Sequence, residues 1–226
     1  MESQVRGGTR WKRFALVMVP SVAATAAIGV GLAQGALAAS FSVSGVDFKV
    51  TAQQLDGRNL LQYGSVATGK DLNGKDAVHP VVVSGFSDAT ITKMCQSVVQ
   101  PLPFGLGDVT MTLKAGQGDQ KIEATNIYLD VSELSTDAQF TNIDIGVAAG
   151  EGKRDANGNV VTKIQPGADG KTPGGSPYGF AQRADRAVLS NVQQRAWATT
   201  AGSFKLPGLS LSLTGGKHEC EPAPKI

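Results

Sequence analysis

Gly85-Phe86-Ser87-Asp88-Ala89 stands one residue away from the G-x-S-x-G nucleophile elbow. In that elbow a serine sits on a tight strand-to-helix turn beside an oxyanion hole. The apolar run Val81-Val82-Val83 could supply the strand, but Thr90-Ile91-Thr92 continues as a strand and not as a helix. The only imidazoles are His79 and His218. Ser87, Asp144 and His218 would keep the chain order of the hydrolases that use such an elbow. The alternating helix-and-strand pattern of those enzymes is missing. Ser87 and His218 therefore stand as weak catalytic candidates. A carboxylic ester hydrolase is the reaction they would imply, and a simple turn is the competing reading.

Two further motifs invite chemistry. Asp71-Leu72-Asn73-Gly74 and Asp155-Ala156-Asn157-Gly158 look like the opening of a calcium loop. Neither meets the D-x-[DN]-x-[DN]-G spacing, and no closing glutamate follows. Both read better as hairpin turns. His218-Glu219-Cys220 holds three metal-ligand types, but adjacent residues cannot all face one ion and no second cluster exists. No metal and no cofactor are expected.

The apolar loops offer binding instead. Leu102, Phe104 and Leu106 lie in one Pro/Gly-rich stretch, and Leu206 and Leu209 in another. Buried, such loops close the ends of a core. Exposed, they would touch lipid or a partner. Aromatic residues are too sparse to stack nucleic-acid bases.

Around these loops the chain is built for strands. Val46, Phe48 and Val50 alternate with charged residues; Val109, Met111 and Leu113 alternate with Thr110, Thr112 and Lys114; Leu209, Leu211 and Leu213 alternate with Ser210, Ser212 and Thr214. A period of two marks half-buried strands. Asn-Gly and Gly-rich turns separate the runs.

A short motif recurs: Ile91-Thr92-Lys93-Met94, Ala124-Thr125-Asn126-Ile127, Phe140-Thr141-Asn142-Ile143 and Leu189-Ser190-Asn191-Val192. Apolar residues three apart break the period of two. Each site is expected to hold a bulge or corner, with Lys93 or Asn in the bend and the last residue inward. The spacings are near multiples of 16, which suits a structural repeat. Residues 88–116 and 185–216 echo one another over a longer stretch. The expected fold is all-β: an antiparallel curved sheet or sandwich built from a duplicated unit, with a β-solenoid as the alternative. Residues 150–179 contain eight glycines and three prolines and read as a hairpin followed by a flexible insertion.

Residues 14–39 carry no charge and follow Arg6, Arg10, Lys12 and Arg13. With Ala36-Leu37-Ala38 at the end, this is a secretory signal pattern. The run is also long enough to span a bilayer as one apolar helix. Residues 1–39 are therefore a signal peptide or an N-terminal membrane anchor, and 40–226 a β-rich extracytoplasmic domain. The basic flank keeps the N-terminus inside, which places the domain outside the cell or on the outer face of the cytoplasmic membrane. Residues 1–39 hold four of the 21 basic and one of the 19 acidic side chains, leaving 17 and 18. So balanced a domain has no electrostatic footprint for nucleic acid. In an oxidising compartment Cys95 and Cys220, the only two cysteines, have one possible pairing, a disulfide.

The chain resembles, over nearly its full length, a family of secreted actinobacterial proteins of unknown function abundant in streptomycetes. The likeness rests on WKRFALVMVP at 11–20, SGVDFKVTAQQLDG at 44–57, DAQFTNIDIG at 137–146, and QQRAWATTAGSFKLPGLSLSL at 193–213 followed by Cys220. Members are sometimes labelled cholesterol esterase and are often encoded beside a small multi-spanning membrane protein. The resemblance implies export and a shared fold, and it transfers no catalytic residue. The expectation is an exported envelope protein with a binding or structural role, its partner a lipid or a membrane protein. The alternatives are a lipid-ester hydrolase and a surface protein that assembles with its own copies.

Overall fold

The computed structural model describes residues 43–167 and 172–222. The expected apolar helix of residues 14–38 lies outside them. Among the described residues there is no α-helix, only two 3-10 turns at Pro103–Gly105 and Ala149–Glu151.

Four long strands dominate: β1 (Phe48–Lys70), β2 (Asp76–Thr92), β5 (Ile122–Thr141) and β9 (Phe180–Thr200). Shorter strands are β3 (Met94–Pro101), β4 (Asp108–Ala115), β6 (Asp144–Ala148), β7 (Lys153–Arg154), β8 (Val160–Thr162), β10 (Ser203–Lys205) and β11 (Ser210–Gly215). β1 pairs with β2, β2 with β5, β5 with β9, and β9 again with β1, all antiparallel. The ring closes into a barrel. This corrects the expected open sheet or sandwich and the solenoid alternative. Periodicity shows that strands alternate in and out, but closure depends on pairings between residues more than a hundred positions apart.

Closure also explains the 16-residue spacing. From Gly57 the ladder leads through Ala89 to Ala124 in one direction, and through Ala187 to Phe140 in the other. Both ends lie on β5, sixteen residues apart. That offset is the stagger of the barrel, which forces strands to incline and wrap. β5 thus crosses one level of the barrel twice, and the two corner motifs it carries, sixteen residues apart, lie at that level against β2 and against β9. The repeat is a consequence of barrel geometry; β2–β3 and β9, which carry the other two copies, do not form equivalent halves.

The corners themselves are real, and the one at Asn191 also holds a bulge against β5. Lys93, Asn126, Asn142 and Asn191 have φ of 51°, 47°, 52° and 55°. A fifth corner, Asn59 with φ 53°, carries no motif that the sequence pattern reveals. Asn tolerates this left-handed region because its short side chain bonds locally. Four of the five corners keep their register without an extra residue, and β1 against β9 holds one register from Phe48↔Ala196 to Tyr63↔Ala181; at Asn191 the ladder with β5 shifts between Ser135↔Gln193 and Asp137↔Ser190, which leaves one extra residue on β9. The corner residue reverses the in–out phase of its strand. Neighbouring strands reverse at the same level, so pairing survives. Asn59 lies opposite Ser87, itself opposite Asn126, and on its other side opposite Asp185, beside Asn142. Phe86 and Ala89 point inward on one strand, Ile127 and Ala124 on the next. Met94 and Val192 are buried as well, whereas Ile143 is only half-buried against the core.

The main core fills the barrel with Leu55, Leu60, Phe86, Ile91, Ile122, Ile127 and Leu189 among others. Its waist is lined by small residues, Gly57, Ala89, Ala124 and Ala187, which leave room for the Phe86 ring. A second core lies on the other side of the β1–β2 hairpin, around Leu61, Tyr63, Ala67, Val81 and Val83. It is covered by the described part of the Gly/Pro-rich segment. There Thr162 Oγ1 donates to Asn59 O at 2.7 Å, Gln165 N–H donates to Tyr63 Oη at 2.9 Å, and Tyr128 Oη donates to Lys163 O at 3.1 Å. Burial raises both phenol pKa values.

Candidate functional site

Ser87 occupies a corner level, where two consecutive side chains leave the core. Its Oγ accepts from Asn59 Nδ2 at 2.9 Å and donates to Asp88 Oδ2 at 2.9 Å. The strand runs on through Ser87 to Thr92, so no strand-to-helix turn presents the hydroxyl. His79 lies eight residues away on the same strand and stacks on Trp197, with ring centroids 3.5 Å apart. His218 follows β11, where its Nε2 meets Gly215 O at 3.0 Å and its backbone N–H donates to Thr110 Oγ1 at 3.0 Å. Asp144 pairs with Arg183 at 2.9 Å. The three residues of the hypothetical triad are thus engaged with different partners on different elements, and Ser87 is bonded as a corner residue would be.

The calcium-like segments are hairpin turns. Asp71 Oδ1 accepts from the backbone N–H groups of Asn73 and Lys75, each at 2.8 Å, and Asp155 Oδ1 does the same for Asn157 and Asn159 at 2.9 Å. These bonds, that of Lys75 and that of Asn159 foremost, hold both carboxyl pKa values down. Gly74 and Gly158, at φ 78° and 84°, complete the turns. Among the described residues no group of His, Cys, Asp and Glu could hold a metal ion.

Cys95 and Cys220 form a disulfide, with Cα atoms 5.9 Å apart. Cys220 N–H donates to the buried Ser97 Oγ at 2.9 Å, and Thr51 Oγ1 donates to Glu221 O at 3.0 Å. Arg195 bridges Asp47 and Glu219 at 3.2 and 2.7 Å. The C-terminal segment is thereby pinned across β1, β3 and β9.

The apolar candidates divide. Leu206 packs against the barrel core, while Leu102, Leu106 and Leu209 are exposed. The side chain of Phe104 is outside the described residues. The strand after Leu209 extends the exposed surface: Leu211 and Leu213, 62% and 69% exposed, sit opposite Leu113 and Met111 on β4.

A second apolar surface escapes sequence reading. On the β1–β2 hairpin, Gly64 faces Val82, Val66 faces Pro80, and Thr68 faces Val78. Cross-strand partners share a face. These three pairs carry no charge, the next pair on the face being the ion pair Lys70–Asp76, and Val66, Val78 and Val82 are 55%, 63% and 45% exposed. Phe180, next along the β9 ladder from Ala181, is exposed beside it. Packing of the hairpin's other face against the second core leaves Val66, Val78 and Val82 outside. The same face leads to a cavity of about 140 Å³ lined by Leu60, Gln62, Ser84, Phe86, Leu134 and Phe140, among others. Ligand pockets usually measure roughly 300–1,000 Å³, so this cavity is too small for a whole lipid. A site inside the main core measures about 30 Å³.

No curated protein and no solved structure matches this chain. A family model does match, over residues 44–221, which is nearly the whole described domain. The chain belongs to the family of unknown function DUF6230.

Proposed function

We propose that this protein is exported and works by binding at its surface, with a lipid surface as the partner. The observation that supports this reading is the exposed apolar patch on the β1–β2 hairpin, formed by Val66, Val78, Pro80 and Val82 beside Phe180 and bounded by the Lys70–Asp76 ion pair. Contiguous exposed apolar surface marks a membrane or protein contact. The small cavity at its margin could take a group the size of an acyl end, not a whole lipid. Val43 N–H donates to Thr68 O at 3.0 Å, so the chain enters the domain on this same hairpin. An uncleaved apolar run would tether the domain here, and a cleaved one would leave the face to bind by itself. The ester hydrolase alternative draws no support from Ser87, whose hydroxyl is held by Asn59 and Asp88 with neither imidazole among its partners.

The test is flotation of the released protein with phosphatidylcholine–phosphatidylglycerol vesicles, its first residue set by N-terminal sequencing. The wild type should float, and Val78→Glu/Val82→Glu should stay in the dense fraction with an unchanged melting temperature. A wild type that does not float, or a variant that floats equally, refutes the lipid reading. Recovery only in membranes, starting at Met1 or Glu2, would establish the anchor.

A further inference from the structure

We infer that β11 is the contact through which two copies of this chain pair, edge to edge, across a two-fold axis at Leu211. β11 ends its sheet. It pairs with β4 and, among the described residues, with no other strand. All six of its residues are exposed. Natural edges of this kind are protected by lysines, prolines, bulges or a covering element. This one has no charge from 206 to 216, and Pro207 lies before the strand. Its ladder with β4 contains no bulge.

Exposure alone does not name the occupant; the residue order does. Leu209-Ser210-Leu211-Ser212-Leu213 reads the same in both directions. A two-fold interface must be self-complementary, residue i against j and j against i. Antiparallel pairing about Leu211 places Leu209 against the partner's Leu213, Ser210 against the partner's Ser212, and Leu211 against the partner's Leu211. From 209 to 213 leucines meet leucines and hydroxyls meet hydroxyls; beyond them Thr214 and Gly215 would face the partner's Gly208 and the partner's Pro207.

The apolar row also continues. Leu113 packs against the barrel core, and Leu211 lies opposite it in the open. Pairing would extend the row from Leu113 through both copies of Leu211 to the partner's Leu113, burying side chains now wet on both sides of the axis. The lysines that flank the strand would approach across the interface, but each already has an acid: Lys205 pairs with Glu123 at 3.2 Å and Lys217 with Asp108 at 3.6 Å. This surface is separate from the hairpin face of the lipid reading, and neither proposal depends on the other.

Single-cysteine variants of the released protein test the register. Cβ atoms of directly opposed residues lie about 4.5–5.5 Å apart, within what a disulfide bridges after slight adjustment. Leu211→Cys should therefore oxidise to a covalent dimer in high yield. Leu213→Cys, equally exposed but opposite the partner's Leu209, should give at least tenfold less. The native cysteines are already bonded to each other. Sedimentation should show a wild-type dimer and a Leu211→Lys monomer, with unchanged near-ultraviolet dichroism because the side chain is exposed. A wild type that is monomeric at tens of micromolar refutes the pairing. So do equal crosslinking yields at 211 and 213, or a Leu211→Lys variant that remains dimeric. A monomeric wild type whose vesicle flotation is lost in Leu211→Lys would assign the strand to lipid instead.

Discussion

Gly57→Ala tests the closure of the barrel with one methyl group. Gly57 stands opposite Ala89 on one side and Ala187 on the other. A Cβ built there would come within 2.3, 2.5 and 2.9 Å of three carbons of the Phe86 ring. Real Cβ contacts do not approach so closely, and Phe86 is only 1% exposed, so the ring must shift within the core, toward the cavity it lines. Overpacking of a core costs about 1–3 kcal/mol; a rigid aromatic ring must move as a whole, and the cavity beside it keeps the cost within that range. Phe86→Leu alone should cost about 1–2 kcal/mol, since it removes buried carbons but leaves a branched side chain. In the Gly57→Ala background the smaller side chain makes room for the methyl. The double variant should then be more stable than the sum of the single losses by about 1–2 kcal/mol, within the range for residues in contact. Chemical denaturation of the four proteins supplies the cycle. A Gly57→Ala variant as stable as wild type, or a coupling near zero, would mean that Gly57 does not face Phe86. The ladder through Gly57, on which the barrel and its stagger rest, would fail with it.

Three other consequences are measurable. The Cys95–Cys220 bridge closes a loop with a sequence separation of 125, so replacing both cysteines by serine should cost about 5 kcal/mol in the chain-entropy model; an unchanged denaturation midpoint would refute it. Burial pushes the Asp130 carboxyl up to about 6, so the folded state keeps a proton that the unfolded chain loses near pH 4. Stability should therefore fall as pH rises from about 4 to about 6, by about 2–3 kcal/mol in all, and Asp130→Asn should flatten that part of the profile, while a slope unchanged by the substitution would assign it to other groups. At the corners, Lys93→Asn should be neutral or stabilising by up to about 1 kcal/mol, because Asn suits a φ of 51° better than Lys. Ile143→Ala should cost only about 1–2 kcal/mol, below the usual core range, because Ile143 is half-buried; a loss above 3 kcal/mol would place it in the core after all.

Strand character, turn positions and the corners are local properties, and they were legible in the residues. Apolar side chains three apart with Asn or Lys between them announced the phase reversals at Lys93, Asn126, Asn142 and Asn191, since a left-handed residue that reverses the phase of a strand brings two outward residues together between inward ones. Asn59 was hidden because Leu60 and Leu61 both follow it, each serving a different core. The single cysteine pair was readable by elimination. What the residues could not convey was which strands are neighbours. Gly57 is small because the Phe86 ring occupies its space, and Val78 is exposed because Val81 and Val83 pack on the other side of the hairpin. The same period of two describes an open sheet, a sandwich and a barrel, since alternation records only the two faces of a strand. Closure with a stagger of sixteen residues, the isolation of β11 at an edge and the outward turn of the hairpin face all arise from contacts distant in sequence. Those contacts are selected by packing of the whole chain, and only the tertiary structure decides them.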